Sequence, residues 1–302
     1  MGSSRRVRVF QVDAFTTQLF AGNPATVVLN AETLSDEEMQ AMAREFRGQD
    51  SAFVLAADAA DHDVRVRFFT PHGEAGFIGH ATIALHAVRD SLGLPACKRQ
   101  RQRSGIVDIE TIAESQATRF AFSQPPPPLQ QALEASALGA ISEALGLMPT
   151  ELDASCPAIV AGAGGARALL AVRDGHVLAR LRPDLTRLAA LSASGSPPGF
   201  FVYTLAPAIP DCETEARMFC PAIGINEDPV SGNAHAMLAT HLCALQRMPE
   251  RSGRWEFTGR QGHHLGRPGV LQVSVEHRDG APRSVRIAGG ARIVWETLIK
   301  LD

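Results

Sequence analysis

Residues 7–15 alternate apolar and polar side chains with the period of two that a half-buried strand requires, and Gly22-Asn23-Pro24 turns the chain into a second apolar run at 25–29. A strand pair is expected to open the chain. Ser35 and Glu38 have capping-box spacing, and Met39, Met42, Ala43 and Phe46 then repeat every three or four residues. That stripe predicts an amphipathic helix ending near Arg47-Gly48. Strands are predicted at 51–55 and 64–69, and a turn-rich segment, 70–78, leads into an apolar helix over 79–92. Pro125-Pro126-Pro127-Pro128 must be extended, because each ring fixes φ and disfavours helix in the residue before it. It reads as a linker, the alternative being a proline-rich ligand for a recognition domain. Beyond it the pattern predicts a helix at 138–146, strands at 157–161 and 168–172, and a helix around 185–191. Short strands with few helices in this order give an α+β fold.

The second half of the pattern repeats the first. Arg67-Phe68-Phe69-Thr70-Pro71 and Arg217-Met218-Phe219-Cys220-Pro221 share Arg, Phe and Pro 150 residues apart. Upstream of each lies a short apolar strand, Ser51-Ala52-Phe53-Val54 and Gly199-Phe200-Phe201-Val202. Downstream, Gly79-His80-Ala81 and Gly232-Asn233-Ala234, 153 residues apart, each open an apolar helix. An ordered series at nearly fixed offset implies duplication of a unit far longer than a solenoid repeat. The expected architecture is two pseudo-symmetric lobes, 1–124 and 125–302, with the last strand, about 286–302, a candidate to pack back on the first lobe. A helix apolar on every face is a buried one, so each lobe is expected to wrap a sheet or barrel around a central helix. The first N–H groups of such helices lack intrahelical partners and carry the positive end of the peptide dipoles. Opening on a cleft between the lobes, they would form two facing anion holes; the plainer reading is that water or side chains cap two core helices.

Composition narrows the function. The 302-residue chain carries a formal charge of −3, without the dense basic face that nucleic acid or a membrane surface rewards. Its one basic cluster, 98–103, reads as a solvated loop. Five cysteines, Cys97, Cys156, Cys212, Cys220 and Cys243, are odd in number and widely spaced. They argue for a reducing compartment, with the cytoplasm as default, and against a disulfide framework or a zinc site. No stretch approaches a membrane span, and Met1 to Arg6 run directly into a strand pattern.

Chemistry gathers at the two helix starts: His72 and Glu74 before the first, His80 as its second residue, Glu227 and Asp228 before the second, and Asp50 ahead of the 51–54 strand. His80 reads either as a satisfied core histidine or as a proton carrier, a helix N-terminus favouring its neutral form. Asp228 is either an N-terminal cap or an acid. Gly162-Ala163-Gly164-Gly165-Ala166-Arg167 lacks the strand–turn–helix context of a dinucleotide loop. His263-His264, expected on a strand, point apart, and His235 and His241 share no helical face. No metal and no cofactor are expected.

These residues resemble the phenazine-biosynthesis PhzF-like isomerase family, whose fold is that of diaminopimelate epimerase. The matching pieces are Val12-Asp13-Ala14-Phe15-Thr16 with Gly22-Asn23-Pro24-Ala25, Arg67 to Pro71 through Glu74 to Gly79-His80-Ala81-Thr82, Arg217 to Pro221 through Glu227-Asp228-Pro229-Val230-Ser231-Gly232, and Gln261-Gly262 with Gly266-Arg267-Pro268. The resemblance covers almost the whole chain. It implies a homodimer of two-lobed subunits in which one acidic side chain moves a proton between carbons of a small cyclic or unsaturated carboxylate. Carried over by motif, Asp50, His80 and Asp228 are the expected catalytic groups. Gly79 and Gly232 supply amides, and Ser231 and Asn233 further substrate contacts, the family more often having Ser at the latter position. The family's acid is usually Glu in a Ser-Glu-Thr-x-Phe-Val segment, where this chain reads Gln49-Asp50-Ser51-Ala52-Phe53-Val54. Asp50 retracts the carboxylate by roughly 1.5 Å, and about 1 Å can cost ~100-fold in rate. Glu45 lies on the preceding helix. Racemases of this fold use two cysteines before the helix-start glycines, and Ile78 and Ser231 stand there instead. The expected function is thus a cofactor-independent isomerase, not a two-cysteine racemase. The alternative is a small-molecule-binding or regulatory protein that kept the fold and lost the chemistry.

Overall fold

The capping box at Ser35 forms as its spacing requires: Glu38 N–H donates to Ser35 Oγ at 3.2 Å and Ser35 N–H to Glu38 Oε2 at 2.8 Å, opening the helix Asp36–Glu45. Its buried face, Met39, Met42 and Ala43, packs on Val28, Phe53 and Phe69. The computed structural model describes residues 5–46, 49–114, 117–163, 165–251, 254–279 and 281–301. The predicted helix stop at Arg47-Gly48, Gly164 of the glycine-rich loop and the first four residues lie outside them.

Contacts divide the chain into two compact units, 1–124 with 288–302, and 125–287. In the first, Arg5–Ala14 runs antiparallel to both Asn23–Leu29 and Ala291–Leu301. Asp50–Ala56 joins Asn23–Leu29 in parallel, Val64–Thr70 follows antiparallel, Arg99–Gln102 is parallel to it, and Gly105–Ala113 and Thr118–Gln124 extend the sheet antiparallel. The sheet wraps the helix Gly79–Ser91, which touches the strands Arg5–Ala14, Asn23–Leu29, Asp50–Ala56, Thr118–Gln124 and Ala291–Leu301. Every residue from Ala81 to Val88 is buried. Six of these eight side chains are apolar, and the other two, Thr82 and His86, find buried partners in the Ile78 carbonyl and the Gln100 amide, so that helix has no face suited to water.

The second unit repeats the order of strand directions. Ile159–Ala161 is antiparallel to Arg167–Ala171, which is parallel to Gly199–Thr204; Thr214–Cys220 is then antiparallel, Arg254–Gln261 parallel and Gly269–Arg278 antiparallel. Arg67 lies opposite Phe53 and Arg217 opposite Val202, one residue along from the position that the sequence repeat aligns with Phe53. Its central helix, Gly232–Ala244, is buried along nearly its whole length and packs on Leu129–Ala132 and Gly269–Arg278. Ala135–Leu145 and Leu185–Ala193 cover the outer face of this sheet through Ile141, Leu145 and Leu188 against Leu170, Phe200 and Phe219.

Two local expectations are corrected. The basic cluster at 98–103 is not a solvated loop: Arg99–Gln102 is a strand whose arginines face out while Gln100 and Gln102 are buried. The alternation Arg-Gln-Arg-Gln has the strand period, and the charges obscured it. His263-His264 lie in a 3-10 turn, His263–Leu265, and not on a strand, because Gly262 and Gly266 both take left-handed conformations at its ends. No helix among the described residues is long and apolar enough to cross a membrane.

Candidate functional site

The strand Val64–Thr70 delivers Arg67 to a forked ion pair, Nε to Glu74 Oε1 at 2.8 Å and Nη2 to Oε2 at 3.0 Å. The fork anchors the short strand Gly73–Ala75, and Gln40 Nε2 donates to the carbonyls of Thr70 and Pro71. Glu74 therefore holds the approach to the helix and is not a spare carboxylate. Phe77 sits edge-on to Phe68 and Phe122, and Ile78 takes an extended conformation immediately before the helix. At Gly79 a Cβ would stand 2.8 Å from the Phe122 ring, so glycine lets the helix start lie flat on that aromatic.

Ile78 offers no side chain to cap the helix. Thr82 N–H makes the first helical bond, to Ile78, and among the described residues the N–H groups of Gly79, His80 and Ala81 have no protein partner. Three open donors at a largely buried helix start, with the dipole behind them, are a place for negative charge. His80 Nε2 lies 3.6 Å from Asp50 Oδ2, the two side chains 14% and 25% exposed. Burial pushes the His80 imidazole down to about 4, so it is neutral at pH 7. Asp50 heads the strand Asp50–Ala56 beside Ala25. Glu45 is the last residue of the preceding helix.

In the second unit the same parts recur with different detail. Arg217 forks onto Glu227, Nε to Oε1 at 2.9 Å and Nη2 to Oε2 at 2.8 Å, and also donates to the carbonyls of Leu178 and Leu181. Asp228 closes the strand Ile225–Asp228 and is half-buried. It does not cap the helix; Ser231 does, its Oγ accepting Ala234 N–H at 3.2 Å. The N–H groups of Gly232 and Asn233 stay without protein partners among the described residues. Gly232 is buried, whereas the Asn233 side chain is exposed. His235 Nδ1 donates to the Ser231 carbonyl at 2.8 Å, and burial holds its imidazole near 4.

Asp50, Gly79 and His80 are thus together in the first unit, and Asp228, Ser231, Gly232 and Asn233 in the second. Sequence reasoning passed over the two arginine forks, although Arg67 with Glu74 and Arg217 with Glu227 keep the repeat offset. Gln261 it recorded only as part of a motif; its amide bonds the backbone on both sides of the 229–230 loop.

Comparison with known proteins covers nearly the whole chain. The family described as phenazine biosynthesis-like protein (PhzC-PhzF) matches residues 12–297. YddE of Escherichia coli O157:H7, an uncharacterized isomerase, is 38% identical over 298 residues, which are 97% of this chain and 99% of that one. The crystal structure of a Bacillus anthracis phenazine biosynthesis protein of the PhzF family has a TM-score of 0.86 at 25% identity, covering 98% of this chain and 100% of its own. A hydroxyproline epimerase from Agrobacterium vitis shares the fold, with a TM-score of 0.61 at 11% identity over 99% of this chain and 93% of its own.

Proposed function

The chain belongs to the phenazine biosynthesis-like (PhzC-PhzF) family and is an isomerase by that kinship, and on this premise we propose that it moves a proton between carbons of a small cyclic or unsaturated carboxylate without a cofactor. Asp50 removes a proton from the carbon next to the carboxylate, and the double bond shifts. The proton then returns to the far end of the allylic system, leaving atoms and charge balanced. His80, neutral at working pH, and Asp228 relay or position protons. The N–H groups of Gly79, His80 and Ala81 hold the carboxylate and the negative charge that develops on it, and in the second unit Gly232 and Asn233 are substrate contacts by the family resemblance, with Ser231 as the cap that holds them in place.

The observation that carries this reading is the pairing of Asp50 with a neutral His80 beside three open N–H groups. A carboxylate at hand to take a proton, an imidazole able to give or accept one, and donors for an enolate-like charge are what such an isomerisation needs. The test is deuterium uptake from D₂O, followed by NMR, with cyclohex-2-ene-1-carboxylate and related unsaturated acids. Uptake that Asp50→Ala lowers by at least 10²-fold is expected. Undiminished uptake in Asp50→Ala would overturn the assignment, and tight binding with no uptake in the unaltered protein would favour a binding or regulatory role.

A further inference from the structure

Gln261 ends the strand Arg254–Gln261 with only 1% of its surface exposed, and both ends of its side-chain amide are engaged by backbone. Nε2 donates to the Asp228 carbonyl at 2.6 Å, and Oε1 accepts the Ser231 N–H at 3.1 Å. The partners dictate this orientation, since a carbonyl only accepts and an N–H only donates. One amide therefore bridges the last residue of a strand and the first turn of the buried helix.

The neighbouring atoms tighten the same loop. Gly262 has φ +88°, and a Cβ there would stand 2.7 Å from the Pro229 carbonyl oxygen, so the chain after Gln261 passes directly against the 229–230 segment. Ser231 is held at every polar atom: its N–H by Gln261, its carbonyl by His235 Nδ1 and N–H, and its Oγ by Ala234 N–H. Among the described residues, the next two N–H groups, of Gly232 and Asn233, have no protein partner.

We propose that Gln261 is a positioning residue for the isomerisation, its amide setting where Asp228 stands relative to the open N–H groups of Gly232 and Asn233. This rests on the proton-transfer reading above. Strand and helix are joined by two residues whose rotation the amide suppresses, and displacements of about 1 Å at such a site cost ~100-fold in rate. Gln261 touches no reacting atom; it acts through the backbone of Asp228 and of Ser231, which lead into the Gly232 and Asn233 amides.

Two variants test this in the deuterium-uptake assay between pH 5 and 8, with stability measured on the same samples. Gln261→Met keeps the volume and removes both hydrogen bonds; kcat is expected to fall about 100-fold while KM moves only a few-fold. Gln261→Glu is the sharper variant. Its carboxyl when protonated can still donate to the Asp228 carbonyl and accept from Ser231 N–H, but when ionised it sets two acceptors against each other. Its activity is expected to recover as pH falls, along a limb absent from the unaltered protein. A Gln261→Glu rate equal to the unaltered protein's at every pH, or a pH-independent loss that only parallels lost stability, would overturn the proposal and leave the proton-transfer reading intact. Uptake that persists undiminished in Asp50→Ala, or no uptake by the unaltered protein, would instead remove that reading and this one with it. Should Gln261→Met not fold, Gln261→Glu at pH 5.5 carries the test alone.

Discussion

His80 Nε2 and Asp50 Oδ2 are 3.6 Å apart, just beyond hydrogen-bond contact, with the carboxylate the more exposed of the two side chains. One added methylene would span that gap. Asp50→Glu is therefore expected to raise deuterium uptake several-fold, and Asp50→Asn, which keeps the size and removes the base, to lower it 10²- to 10⁴-fold. A slower Asp50→Glu enzyme, measured as kcat on the same acid, would show that the cleft is built for the shorter side chain.

The pH profile is expected to lack a histidine limb. Burial lowers the His80 imidazole to about 4, so it stays neutral from pH 8 down to 5. Initial rates against pH that bend near 6.5, and lose that bend in His80→Asn, would contradict this.

Stability depends on acid in a defined direction. His80, His86 and His235 are each lowered by burial from 6.5 to about 4, so the unfolded chain takes up protons that the folded one refuses. A depressed histidine costs nothing above the unfolded value; stability drains away as pH falls from about 6.5 toward 4 and levels off below that. From pH 7 to 5 the loss is on the order of 1–2 kcal/mol per histidine, read by urea unfolding at the two pH values. His235→Asn keeps a donor for the Ser231 carbonyl and removes one titration. It should reduce the pH dependence by that one histidine's share, on the order of 1–2 kcal/mol between pH 7 and 5.

The two arginine forks differ in burial, and so should their removal. Arg217 is 8% exposed and Glu227 11%, against 24% and 21% for Arg67 and Glu74. Arg217→Met leaves a buried carboxylate and two carbonyls without their donor, a loss of about 3–5 kcal/mol. Arg67→Met should cost clearly less, because water reaches Glu74. Lysine restores neither, lacking the planar fork. Denaturant midpoints of the two variants check the order.

Glycine substitutions separate backbone need from mere tolerance. A Cβ at Gly262 would meet the Arg267 carbonyl oxygen at 2.3 Å and demand a left-handed alanine as well, so Gly262→Ala is expected to cost about 2–4 kcal/mol or block folding. Gly139 lies on an exposed face of the helix Ala135–Leu145, with nothing within 4 Å of its Cβ position. Gly139→Ala should stabilise by about 0.5–1 kcal/mol, seen as a higher Tm.

Much of the fold was legible because it rests on periodic patterns. The strand alternation at 7–15, the capping box at Ser35 and the two apolar helices opening at Gly79 and Gly232 are local signals, and the repeat at 150–153 residues ties the halves to one topology. The Arg99–Gln102 strand was missed because its outward face is all arginine, and charge outweighed period. Along the chain, His80, Glu74, Glu227 and Asp228 looked alike as polar residues near a helix start. Pairing separates them: Glu74 and Glu227 are held by Arg67 and Arg217, while His80 stands near Asp50, thirty residues earlier in sequence.

What the sequence by itself determined are the two buried helices and, for the first of them, the bareness of its opening turn. A helix with apolar residues on every face has no solvent face, and neither Ile78 nor Gly79 carries a capping oxygen. What only tertiary structure decided is which polar groups meet there. Burial moves His80 to about 4, and Gln261, thirty-three residues beyond Asp228, reaches its carbonyl. Desolvation and hydrogen bonding depend on neighbours brought together by folding, and no spacing along the chain encodes them.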